Sequence, residues 1–266
     1  MFSDRSIPYY DKIYSSNGKD YKGETDYLLT VIAAHGISKK AKLLDVACGT
    51  GMHIKHFREH FQVEGLDLSP KFAAVSMANN PGVQFHTGDM RNFSLQSRYD
   101  VITCLFSAIG YMTSPSDLRA AVVNLGRHLL PQGVLLVEPW LTPDQWKVGR
   151  VHMTSVDEEE LKIVRMVTTR RKGIVSCFDM HYLIGTPEGV SHFVEDHRAG
   201  LFTVDQHKQT FVEAGLNVEY DELGPTGRGL YIGLVAPKPK KGGMNNVLAK
   251  NGPSAQVKTA LEENEK

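Results

Sequence analysis

The chain has 266 residues, 41% of them hydrophobic and 23% charged, with 30 basic residues balanced by 30 acidic ones. This composition suits one large α/β domain, or one domain carrying an insertion. Zero net charge gives no global pull toward nucleic acid or an anionic membrane, no apolar run approaches a membrane span, and the first residues hold no signal-peptide core.

Residues 1–21 carry Tyr9, Tyr10, Tyr14 and Tyr21, with an Asn17-Gly18 turn between them. Two readings are open for this segment: a helix packing its aromatics on the body, or a lid over a ligand. Glu24 to His35 reads as an amphipathic helix with Tyr27, Leu28, Val31 and Ile32 on one side, ended by Gly36. A first strand, Lys42 to Val46, runs into Asp45-Val46-Ala47-Cys48-Gly49-Thr50-Gly51, and a helix from Met52 to His60 follows. Glycines at a strand-to-helix turn let the backbone approach a ligand. The turn has neither the Lys-Ser/Thr of a phosphate loop nor the Gly-x-Gly-x-x-Gly spacing of a dinucleotide site.

Gln62 to Leu68 reads as the second strand, and Asp67 at its end suits the two hydroxyls of a ribose. Ser69-Pro70 caps a helix over Lys71–Asn79. Val83 to His86 is a third strand, followed by Gly88-Asp89-Met90, an acid and an apolar residue that suit an adenine. Tyr99 to Leu105 is a fourth strand and Asp117 to Leu130 a helix. Pro131-Gln132-Gly133 then turns into a fifth strand, Val134 to Glu138. Strands alternating with helices from 42 to 138 predict a parallel, doubly wound sheet with its ligands beyond the carboxyl ends of the strands.

The rhythm changes after Leu141. Leu161–Thr169, Ile174–Ile184 and Ser191–His197 read as antiparallel strands of an inserted auxiliary sheet. Thr203 to Ala214 is a helix, and Leu216–Leu223 with Gly229–Val235 make a hairpin-like pair around Gly224-Pro225-Thr226-Gly227-Arg228. Residues 237–266, rich in Lys, Pro and Gly, read as a disordered tail. Cys48, Cys104 and Cys177 are scattered and odd in number, which points to a reducing, cytoplasmic compartment with no disulfide framework and no zinc spacing. His181, His192 and His197 fall in the inserted sheet and are read as packing or pocket polarity, with no metal expected.

Asp45-x-x-x-Gly49-x-Gly51, Gly65-Leu-Asp-Leu-Ser69, Gly88-Asp-Met90 and Gly133-Val-Leu-Leu-Val-Glu138 together resemble the motif series of Rossmann-like class I S-adenosylmethionine-dependent methyltransferases. A narrower resemblance rests on Tyr10-Asp-x-x-Tyr14, Gly18-Lys-Asp-Tyr21, His86-x-Gly-Asp-Met-Arg91, Phe106-Ser-x-Ile-Gly-Tyr111, Val137-Glu-Pro-Trp140 and Gly224-Pro-x-Gly-Arg-Gly-Leu230. These are similar to N,N-dimethyltransferases of nucleotide-activated amino sugars in macrolide antibiotic pathways. The family often has Tyr near the second residue and Glu at the second strand end, where this chain has Phe2 and Asp67.

That resemblance implies S-adenosylmethionine as methyl donor. Its contacts would come from Tyr10, Tyr21, Asp45, Ala47, Gly49, Gly51, Asp67, Leu68, Asp89, Met90 and Leu105. It implies a small-molecule amine substrate, a nucleotide sugar, held by Tyr14, Tyr111, Trp140, Trp146, Arg165 and Arg228, and it is compatible with a homodimer. Arg165 lies in an alternating strand, so simple exposure is its other reading. Tyr111, Glu138 and Tyr14 are the catalytic candidates, although alignment of a neutral amine with the methyl group is expected to dominate.

The implied organisation is a lid and helix over 1–41 and a cofactor core over 42–140. An inserted sheet follows over 141–200, then the rest of the core over 201–236 and the tail over 237–266. Methylation of another small amine or hydroxyl, and binding of the cofactor without catalysis, are the alternatives.

Overall fold

The structure, a computed structural model, describes residues 2–235. The tail expected over 237–266 lies outside the described residues. A 3-10 turn, Ile7–Tyr9, runs into α1 (Tyr10–Ser16), and α2 (Tyr21–Ala34) follows. Asp20 caps α2 by accepting the Gly23 N–H at 2.9 Å. The core then alternates β1 (Lys42–Val46), α3 (Met52–Phe57), β2 (Gln62–Asp67), α4 (Pro70–Asn79), β3 (Gln84–Thr87), β4 (Tyr99–Cys104), α5 (Pro115–Arg127) and β5 (Leu129–Val137). The inserted strands are β6 (Val151–Asp157), β7 (Lys162–Lys172), β8 (Val175–Thr186) and β9 (Gly189–Gly200). The described chain closes with α6 (Val204–Glu213), β10 (Leu216–Asp221) and β11 (Leu230–Val235).

The main sheet has seven strands in the order β10-β11-β5-β4-β1-β2-β3. β3, β2, β1, β4 and β5 pair in parallel, while β11 is antiparallel to both β5 and β10. Helices cover both faces, as expected of a doubly wound sheet. Leu28 and Ile32 of α2 with Ile54 and Phe57 of α3 pack one face, and Leu118, Val122 and Leu125 of α5 with Phe211 of α6 pack the other. The strand order reverses between β1 and β4, so the loops after these two strands flank a crevice at the carboxyl edge.

Two expectations are corrected. The insertion has four strands, β6-β7-β8-β9, not three. β6 reads Val-His-Met-Thr-Ser-Val-Asp, mostly exposed and with no strong apolar alternation, so periodicity does not reveal it. Pro131-Gln132-Gly133 is not a turn ahead of the fifth strand but an irregularity inside it. Leu129 already pairs with Tyr99, the register shifts before Val134 meets Val101, and Gln132 takes φ 67°. α5 accordingly stops at Arg127, where the one backbone N–H of the capping residue His128 is shared between the Gly126 and Leu125 carbonyls. Among the described residues no helix is long and apolar enough to cross a membrane.

Candidate active site

A cavity of about 580 Å³ opens at the carboxyl edge of the main sheet and extends under the inserted sheet. Its volume lies within the range of small-molecule sites. One half is built by the loops after β1, β2, β3 and β4. Ala47 and Gly49 hold the β1 loop in a left-handed turn, at φ 57° and 56°. A Cβ on Gly49 would point into open space, so the missing side chain leaves backbone facing the cavity. Gly51, at φ 75°, differs: a Cβ there would lie 2.6 Å from Asn80 Nδ2 and 2.8 Å from Ser76 Oγ. Gly51 therefore packs the loop on α4 and does not reach the cavity wall.

Asp67 is buried at the end of β2. Its Oδ2 accepts the Gly49 N–H at 2.9 Å and its Oδ1 the Ser69 N–H at 2.8 Å. Two N–H bonds leave lone pairs on both oxygens for further donors. Asp45 lies deeper, accepting the Thr103 hydroxyl at 2.7 Å. Burial pushes its carboxyl up to about 6. A small recess under the glycine loop joins Asp45, Tyr21, Tyr10, Ala47, Gly49 and Leu105. The Tyr21 hydroxyl is buried there and, among the described residues, has no hydrogen-bond partner. Beside it Lys19 Nζ sits 3.7 Å above the Phe106 ring, paired with Glu24 at 2.5 Å, and Glu24 also meets His53 Nε2 at 2.9 Å.

Leu68, Asp89, Met90 and Leu105 line the same half of the large cavity. Asp89 is held by Arg91, whose Nη2 donates to Oδ2 at 2.6 Å and whose Nη1 reaches Asp117 at 3.0 Å. This guanidinium keeps the Asp89 carboxyl below its ordinary range. Arg91 was not expected at the site.

The other half of the cavity is aromatic and basic. Trp140 stacks on Phe178 at 5.6 Å, Trp146 lies 6.0 Å from both, and the Trp140 Nε1–H donates to Ser176 Oγ at 3.0 Å. Tyr14, Tyr111, Arg165 and Arg228 complete this wall. Arg165 is not exposed: it is 7% accessible, its guanidinium stands 4.8 Å over the Tyr14 ring, and Nε and Nη1 have no partner among the described residues. Arg228 Nη1 donates to Ser107 Oγ at 3.2 Å. Tyr111 hydrogen-bonds His197 Nδ1 at 3.0 Å, and burial raises both the Tyr111 and Tyr14 phenols above their ordinary range.

Glu138, like Gly51, is a candidate that the structure does not bring to the cavity. It is fully buried, accepting the Phe106 N–H at 2.6 Å and the Thr226 hydroxyl, with Arg228 Nη1 at 3.9 Å. It ties the end of β5 to the left-handed Phe106-Ser107 bend after β4 and to the 224–229 loop. The N-terminal segment is tied at both ends of the cavity. Thr50 donates to Asp11 at 2.6 Å, and the Ser3 N–H donates to Glu195 on β9 at 2.7 Å. Among the described residues no group of three or more His, Cys, Asp or Glu could hold a metal ion.

The residues around Asp67 and the recess suit a sulfonium nucleoside. The buried Asp45 carboxylate favours a positive charge, Asp67 has free lone pairs for a ribose, Gly49 leaves room, and Tyr21 offers an unused hydroxyl. Residues 43–133 match a methyltransferase domain family. Over 86% of the chain and 90% of the relative, the sequence is 41% identical to a dTDP-3-amino-3,6-dideoxy-alpha-D-glucopyranose N,N-dimethyltransferase of Streptomyces fradiae. It is 35% identical, over 88% of the chain and 94% of the relative, to a dTDP-4-amino-2,3,4,6-tetradeoxy-D-glucose N,N-dimethyltransferase of Saccharopolyspora spinosa. Among solved structures, a SAM-bound amino pentose methyltransferase of Micromonospora echinaspora, CalS10, superposes with a TM-score of 0.79 at 34% identity, covering 89% of this chain and 98% of that one.

Proposed function

The chain belongs to the S-adenosylmethionine-dependent N,N-dimethyltransferases of dTDP-linked amino sugars, and we propose that it methylates the ring amine of such a sugar chiefly by alignment. The observation that carries this reading is the continuity of the cavity. One space joins the glycine loop and the Asp67 and Asp89 carboxylates, at the end of β2 and after β3, to the aromatic wall and arginines under the inserted sheet. A small amine would fill little of that second half, whereas a nucleotide sugar offers a flat base, a diphosphate and a sugar ring to it.

When bound, S-adenosylmethionine supplies an electrophilic methyl group on a neutral leaving group. Asp67 would hold its ribose, Gly49 and Ala47 its methionine end, and Met90 its adenine. The chain's remaining task is to present a neutral amine in line. Tyr111 and Tyr14 both line the cavity, and the Tyr14 ring lies 4.6 Å from Tyr10. Burial keeps both phenols protonated, so neither is a ready general base, and Glu138 is engaged elsewhere. Trp140, Trp146 and Phe178 would flank the base or sugar. Arg228 and the unpartnered face of Arg165 would meet the diphosphate, which a guanidinium fork matches.

Arg228→Ala tests the nucleotide half. The expected result is a KM for the dTDP-amino sugar raised by about 10- to 100-fold, the loss of a charge-assisted hydrogen bond, with S-adenosylmethionine affinity unchanged. An unchanged KM would remove the diphosphate from the reading. For alignment, Tyr111→Phe is expected to lower kcat by less than about 10²-fold; a larger loss would make the phenol a proton acceptor.

A further inference from the structure

Behind Tyr111, away from the cavity, two more polar side chains stand in line. Tyr111 Oη lies 3.0 Å from His197 Nδ1, and His197 Nε2 lies 3.2 Å from Glu195 Oε2. The other Glu195 oxygen accepts the Ser3 N–H at 2.7 Å and the Ser3 hydroxyl at 2.5 Å. Glu195 and His197 are both on β9, two residues apart, so they share a face of the inserted sheet. Both are buried, and neither lines the cavity; Tyr111 does. The His197 ring is fixed between Phe178, stacked at 5.4 Å, and Phe2, edge-on at 4.6 Å.

The direction of each hydrogen bond follows from what each group can do. Burial pushes the Glu195 carboxyl up, but hydrogen bonds from His197 and Ser3 outweigh it and hold it at about 2. Glu195 is therefore a carboxylate and only accepts. Burial holds His197 below the ordinary imidazole range, so the ring is neutral and carries one N–H. The network assigns that N–H to Nε2, which faces the obligate acceptor. Nδ1 is then a bare lone pair, and the Tyr111 hydroxyl donates to it. The single phenolic proton is turned away from the cavity.

We propose that Glu195 and His197 are positioning residues that make the Tyr111 oxygen a hydrogen-bond acceptor toward the N–H of the substrate amine. This rests on the N-methyltransferase reading. An attacking amine must keep its lone pair for the methyl carbon, so only its N–H bonds are free to be held. An acceptor holds them; a donor would compete for the lone pair. Primary and secondary amines both have an N–H to give, and a neutral tertiary amine has none. The same contact therefore serves two rounds of methylation and is lost after the second.

Glu195→Gln reverses the polarity with little change of shape. The amide oxygen still accepts from Ser3, while the amide N–H donates to His197 Nε2. The imidazole proton then moves to Nδ1, which donates to Tyr111 and sends the phenolic proton into the cavity. Nitrogen-15 NMR of the free, histidine-labelled protein is expected to show the Nε2–H tautomer of His197, and the Nδ1–H tautomer in Glu195→Gln. On a dTDP-amino sugar, Glu195→Gln is expected to lower kcat/KM about tenfold, the worth of one hydrogen bond. In a Tyr111→Phe background it should cost nothing further, because no hydroxyl is left to turn. An Nδ1–H tautomer in the parent protein, or an equal loss in both backgrounds, overturns the proposal. If the parent turned over no nucleotide-linked amine, the functional reading would fall, while the tautomer in the free protein would still decide the polarity.

Discussion

Asp45 sits under the glycine loop with burial holding its carboxyl at about 6, well above the ordinary value of roughly 4. A raised carboxyl binds its proton more tightly in the folded chain. Ionised Asp45 therefore costs stability above pH 6, and the cost fades as the pH falls toward 4. Asp45→Asn keeps an acceptor for Thr103 and removes the buried charge. Chemical denaturation should find it more stable than the parent by ~2 kcal/mol at pH 7.5, with no gain near pH 4. Calorimetry should find its S-adenosylmethionine affinity reduced, because the recess under the glycine loop loses a negative charge that would favour a cation. Equal stability at both pH values would contradict the buried-charge account. At this scale the sequence was readable where a carboxylate closes or closely follows a strand, as Asp67 and Asp89 do. It was not readable for Glu195, and it left two readings each for Arg165, binding or exposed, and for His197, packing or pocket polarity. Alternation on β7 and β9 shows two faces but not which one meets the cavity, and the line from Ser3 through Glu195 and His197 to Tyr111 joins residues far apart in the chain.

The glycine loop separates elements that fold the chain from elements that face the ligand. Gly49→Ala and Gly51→Ala both force a side chain into a left-handed backbone, at about 1 kcal/mol each. Only Gly51→Ala also pushes a methyl group into Asn80 and Ser76. Thermal unfolding should therefore show the larger loss for Gly51→Ala. Titration with S-adenosylmethionine should show the larger loss of affinity per unit of stability for Gly49→Ala. The reverse order would contradict the placement of the two glycines.

α6 carries a second pH-dependent device. His207 is buried against Tyr231 at 4.7 Å, and burial holds its imidazole at about 4. The unfolded chain takes up the proton near 6.5, so folding stability is present above that pH and is lost as the pH falls toward 4. His207→Phe should remove about 2 kcal/mol of the stability difference between pH 7 and pH 4.5, read by denaturant unfolding at both. Helices and parallel strands were legible from caps and apolar periodicity, as Ser69-Pro70 illustrates. β6 and the irregular β5 were not, because one is mostly polar and the other hides its Pro-Gln-Gly break within a paired strand.

Across the whole molecule, chain segments distant in sequence close on one cavity. The N-terminal segment reaches the glycine loop through Asp11 and the inserted sheet through Ser3, and the 224–229 loop reaches the end of β5 through Thr226 and Glu138. The half built by the loops after β1 to β4 was legible because Gly49, Asp67 and Asp89 follow or close strands of one repeating pattern. The other half was legible at Tyr14, Tyr111, Trp140 and Arg228, which lie outside the inserted strands, but not in what those strands add, such as Phe178, because no local signal sets which of their faces meets the cavity. The central claim is that the two halves serve one reaction, and incubation with labelled S-adenosylmethionine and a panel of dTDP-linked deoxyamino sugars tests it most directly. Mass spectrometry should find two methyl groups added to the ring amine of at least one of them. Addition to none of the panel, with S-adenosylmethionine still bound, would contradict the account.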